Sequence, residues 1–289
     1  MNTKRRPEWL KVRIRNERVS RQVRDLVNSY NLHTVCQSAR CPNIAECWAN
    51  RTVTFMILGN VCTRNCRFCA VITGTPAPLD LGEPERVANA VQKLKLKHAV
   101  ITSVTRDDLE DGGSKIFVKT ILQIRDIHPS CSVEILIPDF NGNKKALAKV
   151  IDARPDILDH NLEVIPRLYP KVRNQAIFER SLGILKLSKE KKLVTKTGFM
   201  IGLGESIDEI MELIDLLAEI KIDILTIGQY LQPSRHHVLV EKFYHPNEFA
   251  MLKLYAEQRG IGLVESSPLV RSSYHAAEQK RDLNKFLVN

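Results

Sequence analysis

Short runs rich in Val, Ile, Leu, Thr and Phe recur at 52–58, 99–103, 133–138, 157–160, 194–200 and 224–228, separated by stretches of helical periodicity. Each run is too short for a buried helix and reads as a strand. The intervening helices are expected at 84–95, 115–127, 144–151, 175–191 and 206–220. Pro84 suits a first helical turn, and Ser206 with Glu209 forms a capping-box signature. A further helix at 247–259 and a weaker strand at 261–264 follow. Strands alternating with helices demand a mainly parallel sheet, wound either as a barrel or as an open doubly wound layer. Polar and glycine-containing segments recur just after strand after strand, as they do around the C-terminal rim of a barrel. The expectation is therefore an α/β fold, a partial (β/α)6 parallel barrel with N- and C-terminal extensions covering its mouth.

At 289 residues and 44% hydrophobic content, the chain can bury a large core, in one domain with extensions or in two. The boundaries expected are an N-terminal extension at 1–50, a barrel at 51–265 and a C-terminal extension at 266–289. No run of about 18 apolar residues occurs, and no apolar stretch follows the first basic residues, so no membrane span, signal peptide or transit peptide is expected. Cytoplasmic location is the default expectation. The formal charge of +10 is read as a lysine-rich solvated surface rather than a nucleic-acid site. Basic residues crowd the first 24 positions, among them Lys4, Arg5, Arg13, Arg15 and Arg18. They are interleaved with Trp9, Leu10, Val12, Ile14 and Val19, which suits a strap packed on the body.

Six of the seven cysteines lie between residues 36 and 69, and Cys131 stands alone as a small buried hydrophobe at a strand start. Without a secretory signal, such clustering argues for metal or redox chemistry rather than disulfides. Cys62, Cys66 and Cys69 form CxxxCxxC in the loop after the first strand. Three thiolates at this spacing can hold three irons of a 4Fe–4S cubane and leave the fourth open to S-adenosylmethionine (SAM). Zinc competes for the pattern, but zinc sites usually pair CxxC with a second CxxC or with spaced histidines. Cys36, Cys41 and Cys47 form CxxxxCxxxxxC, a second set of three thiolates. Its gaps do not share a helical face, and Pro42 interrupts any helix.

The CxxxCxxC loop, with Phe68 before its last cysteine, resembles that of the radical SAM superfamily. The two cysteine motifs in this order, together with Arg271-Ser272-Ser273-Tyr274, resemble the lipoyl synthase family. The similarity runs from about residue 7 to residue 277 and includes Pro7-Glu8-Trp9-Leu10, the stretch from Ser103 to Leu109, His160-Asn161-Leu162-Glu163, Gly202-Leu203-Gly204-Glu205 and Gln229-Tyr230-Leu231-Gln232-Pro233. Val164 stands where the family usually has threonine, and the stretch from His236 to Leu239 lacks an expected proline.

The resemblance implies two 4Fe–4S clusters per chain and SAM. Cys62, Cys66 and Cys69 would hold the SAM cluster. Cys36, Cys41, Cys47 and a serine oxygen, Ser273 in preference to Ser272, would hold an auxiliary cluster that donates sulfur. A hard alkoxide leaves an iron–sulfur cluster more easily than thiolate does, whereas the serine pair by itself reads as a helix cap. Arg106, Asp107, Asn161, Glu163 and Glu205 are the expected SAM or substrate contacts, and Gly202 and Gly204 open a helix whose N–H groups favour anionic groups.

The implied reaction uses the 5′-deoxyadenosyl radical to abstract hydrogen at C6 and C8 of an octanoyl group on a carrier lysine, with sulfur inserted at both carbons. The implied partners are lipoyl carrier domains of 2-oxoacid dehydrogenases, the glycine-cleavage H protein, a ferredoxin or flavodoxin reductant and an iron–sulfur carrier for cluster repair, with no nucleic acid and no membrane. The rivals are a radical SAM methylthiotransferase acting on RNA, which needs an RNA-binding module for which no room remains, and a zinc-bound structural or nucleic-acid-binding protein.

Overall fold

The computed structural model describes residues 6–11 and 17–288. Its N-terminal part comprises α1 (Glu17–Ser29), a two-residue strand β1 (His33–Thr34) and two short helices, α2 (Val35–Ser38) and α3 (Ile44–Ala49). The first parallel strand, β2 (Thr54–Ile57), is followed by a small ribbon of β3 (Val61–Cys62) and β4 (Ile72–Thr73), then by α4 (Glu83–Leu94). Strand and helix next alternate through β5 (His98–Ser103), α5 (Ser114–Ile127), β6 (Ser132–Leu136), α6 (Lys144–Asp152) and β7 (Ile157–Asp159). After α7 (Tyr169–Val172) come α8 (Phe178–Glu190), β8 (Thr195–Ile201), α9 (Ile207–Glu219), β9 (Ile224–Gln229), α10 (Pro246–Gln258), β10 (Leu263–Ser267) and α11 (Ala276–Val288).

One sheet runs in the order β1-β2-β5-β6-β7-β8-β9-β10, with β1 antiparallel and every other pairing parallel. From β2 onward the spatial order follows chain order. A doubly wound sheet needs a reversal of order, and none occurs here, so the strands wind in one direction as a partial barrel, open between β1 and β10. The weaker run near 261 becomes β10, a seventh parallel strand. The Ser206–Glu209 capping box forms as the sequence predicts.

Two apolar cores fill the layer between sheet and helices. One joins the inner faces of α4, α5 and α6 to β2, β5 and β6 through residues such as Val91, Phe117, Ile121 and Ile135; the other joins α9 and α10 to β8, β9 and β10. Burying these faces supplies the main stabilising force, about 25 cal/mol per Å² of apolar area. Cys131 is buried in the first core. Leu10 is buried and Trp9 meets His245 edge-on, so this part of the N-terminal segment lies on the body; Lys4, Arg5 and the stretch from Val12 to Arg15 lie outside the described residues. Among the described residues, no helix is long and apolar enough to cross a membrane.

Candidate functional site

The C-terminal ends of the strands surround a cavity of about 520 Å³, within the range of cofactor pockets. Its wall brings together Cys36 and Cys41 from the first motif, Cys62, Cys66 and Cys69 from the second, and Ser272 and Ser273 from the C-terminal motif. Cys47 stands just behind this wall, close enough to Cys36 and Cys41 that their charges would oppose its own.

The second triad sits in the loop bracketed by β3 and β4. Cys62 Sγ accepts the N–H groups of Arg64 at 3.4 Å and Thr105 at 3.3 Å, which fix its position in the loop. Arg64 faces away and is tied down by Asp107 at 2.6 Å and Asp139 at 2.7 Å. Asp139 is buried and also binds Arg180 at 3.0 Å, so the loop is anchored to the strand ends beneath it. Burial opposes ionisation of Asp139, but Arg64 prevails and holds its carboxyl at about 2. The loop also receives His237 Nε2 on the Cys69 carbonyl at 2.9 Å, and Phe68 packs against the second apolar core.

The first triad is built differently. Cys36 lies on α2, capped by the Thr34 hydroxyl accepting Gln37 N–H; Cys41 lies in the turn containing Pro42; Cys47 lies on α3. Onto this unit folds a segment more than 200 residues distant. Asn43 Nδ2 donates to the Leu269 carbonyl at 2.6 Å, the Thr54 hydroxyl to Ser273 Oγ at 2.7 Å, and the Tyr274 hydroxyl to Glu46 at 3.3 Å. Arg271 is buried near Cys41, where its charge favours that thiolate although burial lowers its own pKa. Ser272 turns the other way and donates to Asp159 at the end of β7.

The donor set fits iron–sulfur clusters. Trp48 is fully buried, and its indole N–H meets no acceptor at hydrogen-bonding geometry yet lies against Cys36 and favours its thiolate. Such a donor suits a sulfur that becomes anionic on metal binding. Among the described residues, no three His, Cys, Asp or Glu side chains converge on a single-ion site.

Between the triads, Asn161 and Glu163 line the cavity just past β7. Glu163 adopts φ 68°, unusual for a non-glycine residue, while its N–H bonds the Gly198 carbonyl and its own carbonyl receives Met200 N–H. Burial raises the Glu163 carboxyl, opposed by Arg173. Three other predicted contacts lie off the cavity wall. Arg106 is held by Asp108 and the Leu58 carbonyl, Asp107 by Arg64, and Glu205 accepts the N–H groups of Gly202 and Leu203. That glycine turn therefore spends its N–H groups on Glu205 rather than presenting them to a ligand.

Sequence reasoning did not find Arg173, Thr54 or Trp48. Arg173 lines the cavity beside Cys66, donates to the Asn161 carbonyl at 3.0 Å, and keeps its charge against burial with the help of Tyr169, Glu163 and Cys66. Only a polar Thr at the start of an apolar strand, Thr54-Phe55-Met56-Ile57, gave a signal for any of the three.

The chain matches the Radical SAM superfamily over residues 56–217. It is 55% identical over 282 residues to a lipoyl synthase of Rubrobacter xylanophilus, covering 97% of this chain and 88% of that one. Identity to a lipoyl synthase of Bacillus subtilis is 52% over 284 residues, covering 97% and 95%. The chain belongs to the lipoyl synthase family. Solved structures agree on the fold: SuiB of Streptococcus suis bound to S-adenosylmethionine superposes with a TM-score of 0.59 at 16% identity, covering 81% of this chain and 56% of that one. Methylornithine synthase superposes with a TM-score of 0.56 at 14% identity, covering 92% of each chain. Membership of the lipoyl synthase family sets aside both the RNA methylthiotransferase and the zinc protein.

Proposed function

We propose that the two cysteine triads of this lipoyl synthase divide the reaction between them, Cys62, Cys66 and Cys69 serving SAM cleavage and Cys36, Cys41, Cys47 and Ser273 serving sulfur donation. The chain is a radical SAM enzyme that uses SAM and a 4Fe–4S cluster to insert sulfur at C6 and C8 of an octanoyl-lysine on a lipoyl carrier protein. When bound, the SAM-triad cluster would supply the electron that splits SAM, and an auxiliary cluster would supply the inserted sulfide. The observation that carries this division is the folding of the segment from Leu269 to Tyr274 onto the elements that hold the first triad, with Asn43 bonding Leu269, Thr54 bonding Ser273 and Glu46 bonding Tyr274.

The chain's own residues then have defined work. Met56, Val104, Ile137, Phe199 and Tyr230 give the cavity an apolar wall that excludes water and suits an octanoyl chain lying between the triads. Asn161 and Glu163 would orient SAM or the carrier lysine, and Arg173 offers a fixed cation for a carboxylate. Arg106, Asp107 and Glu205 are assigned to support of these loops, Arg106 and Asp107 by holding the strand-end turns and Glu205 by closing the glycine turn.

We assign residues 1–50 and 266–289 to the auxiliary-cluster unit and residues 51–265 to the SAM barrel. The carriers inferred are lipoyl domains of 2-oxoacid dehydrogenases and the glycine-cleavage H protein, with a ferredoxin or flavodoxin as reductant and an iron–sulfur carrier for repair. Seven free cysteines suit a reducing compartment, and we infer the cytoplasm.

The test is an anaerobic assay with an octanoyl-lysine peptide, SAM and dithionite. A Cys36→Ala/Cys41→Ala/Cys47→Ala variant should still release 5′-deoxyadenosine but add no sulfur, and Cys66→Ala should release none. Mass spectrometry of the peptide decides: one or two sulfurs gained from the triple variant without added sulfide would refute the division.

A further inference from the structure

The two serines of the C-terminal motif are treated differently by the barrel. The Ser272 proton is donated to the Asp159 carboxyl, turning that side chain toward β7. Ser273 Oγ is instead an acceptor, taking the Thr54 hydroxyl at 2.7 Å, and Thr54 is only 2% exposed. Thr54 also touches the first triad directly, with its backbone and its hydroxyl both within reach of Cys36 Sγ. It is the first residue of β2, its backbone fixed against β5 by the register Thr54 to Val100, so its hydroxyl is not free to wander.

A serine oxygen ligates iron as its anion, having lost its proton. A fixed neighbouring hydroxyl sets where such an oxygen sits, and a hydroxyl tied to another partner is turned elsewhere. We propose that Thr54 is a positioning residue for the auxiliary site, its buried hydroxyl holding Ser273 Oγ beside the Cys36, Cys41 and Cys47 triad, while the hydrogen bond to Asp159 turns Ser272 away from it. This inference rests on the reading in which Ser273 supplies an oxygen to the first triad's cluster.

The test uses the full chain with Cys62, Cys66 and Cys69 replaced by Ala, so that all bound iron belongs to the first triad. After anaerobic reconstitution with iron and sulfide, the rate of iron loss to EDTA is followed. Thr54→Val keeps the shape and removes the hydroxyl; Thr54→Ser keeps the hydroxyl and removes the methyl. Thr54→Val should lose iron about tenfold faster than the parent, with Thr54→Ser close to the parent. Adding Thr54→Val to Ser273→Ala should produce no further acceleration, because Thr54 acts through that oxygen. Thr54→Ala serves the same purpose should the valine variant not fold.

A valine variant as slow as the parent, or a serine variant as fast as the valine one, overturns the role of Thr54. Further acceleration on top of Ser273→Ala overturns it too. A Ser273→Ala variant indistinguishable from the parent would instead overturn the serine ligand itself.

Discussion

Burial pushes the thiol of Cys66 up to about 11 and that of Cys69 to about 12, from an ordinary value of 9.0, and raises Cys36, Cys41 and Cys47 as well. In the cluster-free chain these thiols are therefore neutral near pH 7, and loading iron must displace their protons. Cluster assembly should accordingly release protons and become tighter as pH rises. The same shifts act on folding. Between the unfolded value of 9.0 and the folded values of about 11 and 12, the folded chain binds more protons than the unfolded one, so stability present below pH 9 is lost as pH rises through that window. For Cys66 and Cys69 the loss should approach about 1 kcal/mol each by pH 10. Urea denaturation of the cluster-free chain from pH 8 to pH 10.5 checks this against a Cys66→Ala/Cys69→Ala variant, whose curve should fall less steeply. Parallel curves would show that these thiols are not shifted.

At the level of elements, β9 shows how a close approach of backbones positions a site. A Cβ on Gly228 would lie 2.2 Å from the Val270 carbonyl oxygen, so any side chain there must push away the segment after β10 that carries Arg271 to Tyr274. Gly228→Ala should therefore shift the C-terminal motif off the first triad. Sulfur insertion should drop at least tenfold while SAM cleavage, served by the loop at the other side of the cavity, changes little. Equal loss of both products would mean that the glycine serves the barrel as a whole. The parallel strands and their helices were legible beforehand because apolar periodicity and caps such as Ser206 act locally. The elements of residues 17–49 were not: α2 and α3 are too short to show a periodic pattern, and the amphipathic run of α1 began inside a stretch read only as basic residues interleaved with apolar ones. The two cysteine motifs were picked out by their spacing together with the family resemblance. Arg173 was not, because it reaches Cys66 only through the fold and carries no motif. Arg106, Asp107 and Glu205 follow strands, where charged residues mark a rim, but their protein partners, Asp108, Arg64 and the Gly202 turn, become visible only in three dimensions.

Across the whole molecule, the barrel separates chemistry from stability. The C-terminal ends of the strands carry the cavity, while a buried polar layer crosses the barrel interior without lining it. Glu134 on β6 binds Lys196 on β8 at 2.9 Å and His98 on β5 at 3.1 Å, and His98 binds Ser132 at 2.7 Å. Since β7 lies between β6 and β8, the Glu134–Lys196 pair spans the interior rather than joining neighbours. Both side chains are 0% exposed. Burial opposes the Glu134 charge, but Lys196 and His98 hold its carboxyl below the ordinary range. Breaking such a pair leaves one charge buried without its partner, which costs about 3–5 kcal/mol, whereas replacing both partners by apolar groups of similar volume is often neutral. Lys196→Met and Glu134→Leu should each destabilise the chain by about 3 kcal/mol, and the double variant by much less than their sum. Urea denaturation of all four forms gives the coupling energy directly. Lys196 pairs in register with Asp159, which takes the Ser272 hydroxyl at the cavity wall, but Glu134, Lys196 and His98 do not themselves line the cavity, so the double variant should retain SAM cleavage within a few-fold of the parent. Simple additivity would show that the two charges are solvated independently. A double variant that folds stably but fails to cleave SAM would show instead that this layer reaches the cavity, through Asp159, whose ionisation is already coupled to the charges of Lys196 and Glu134.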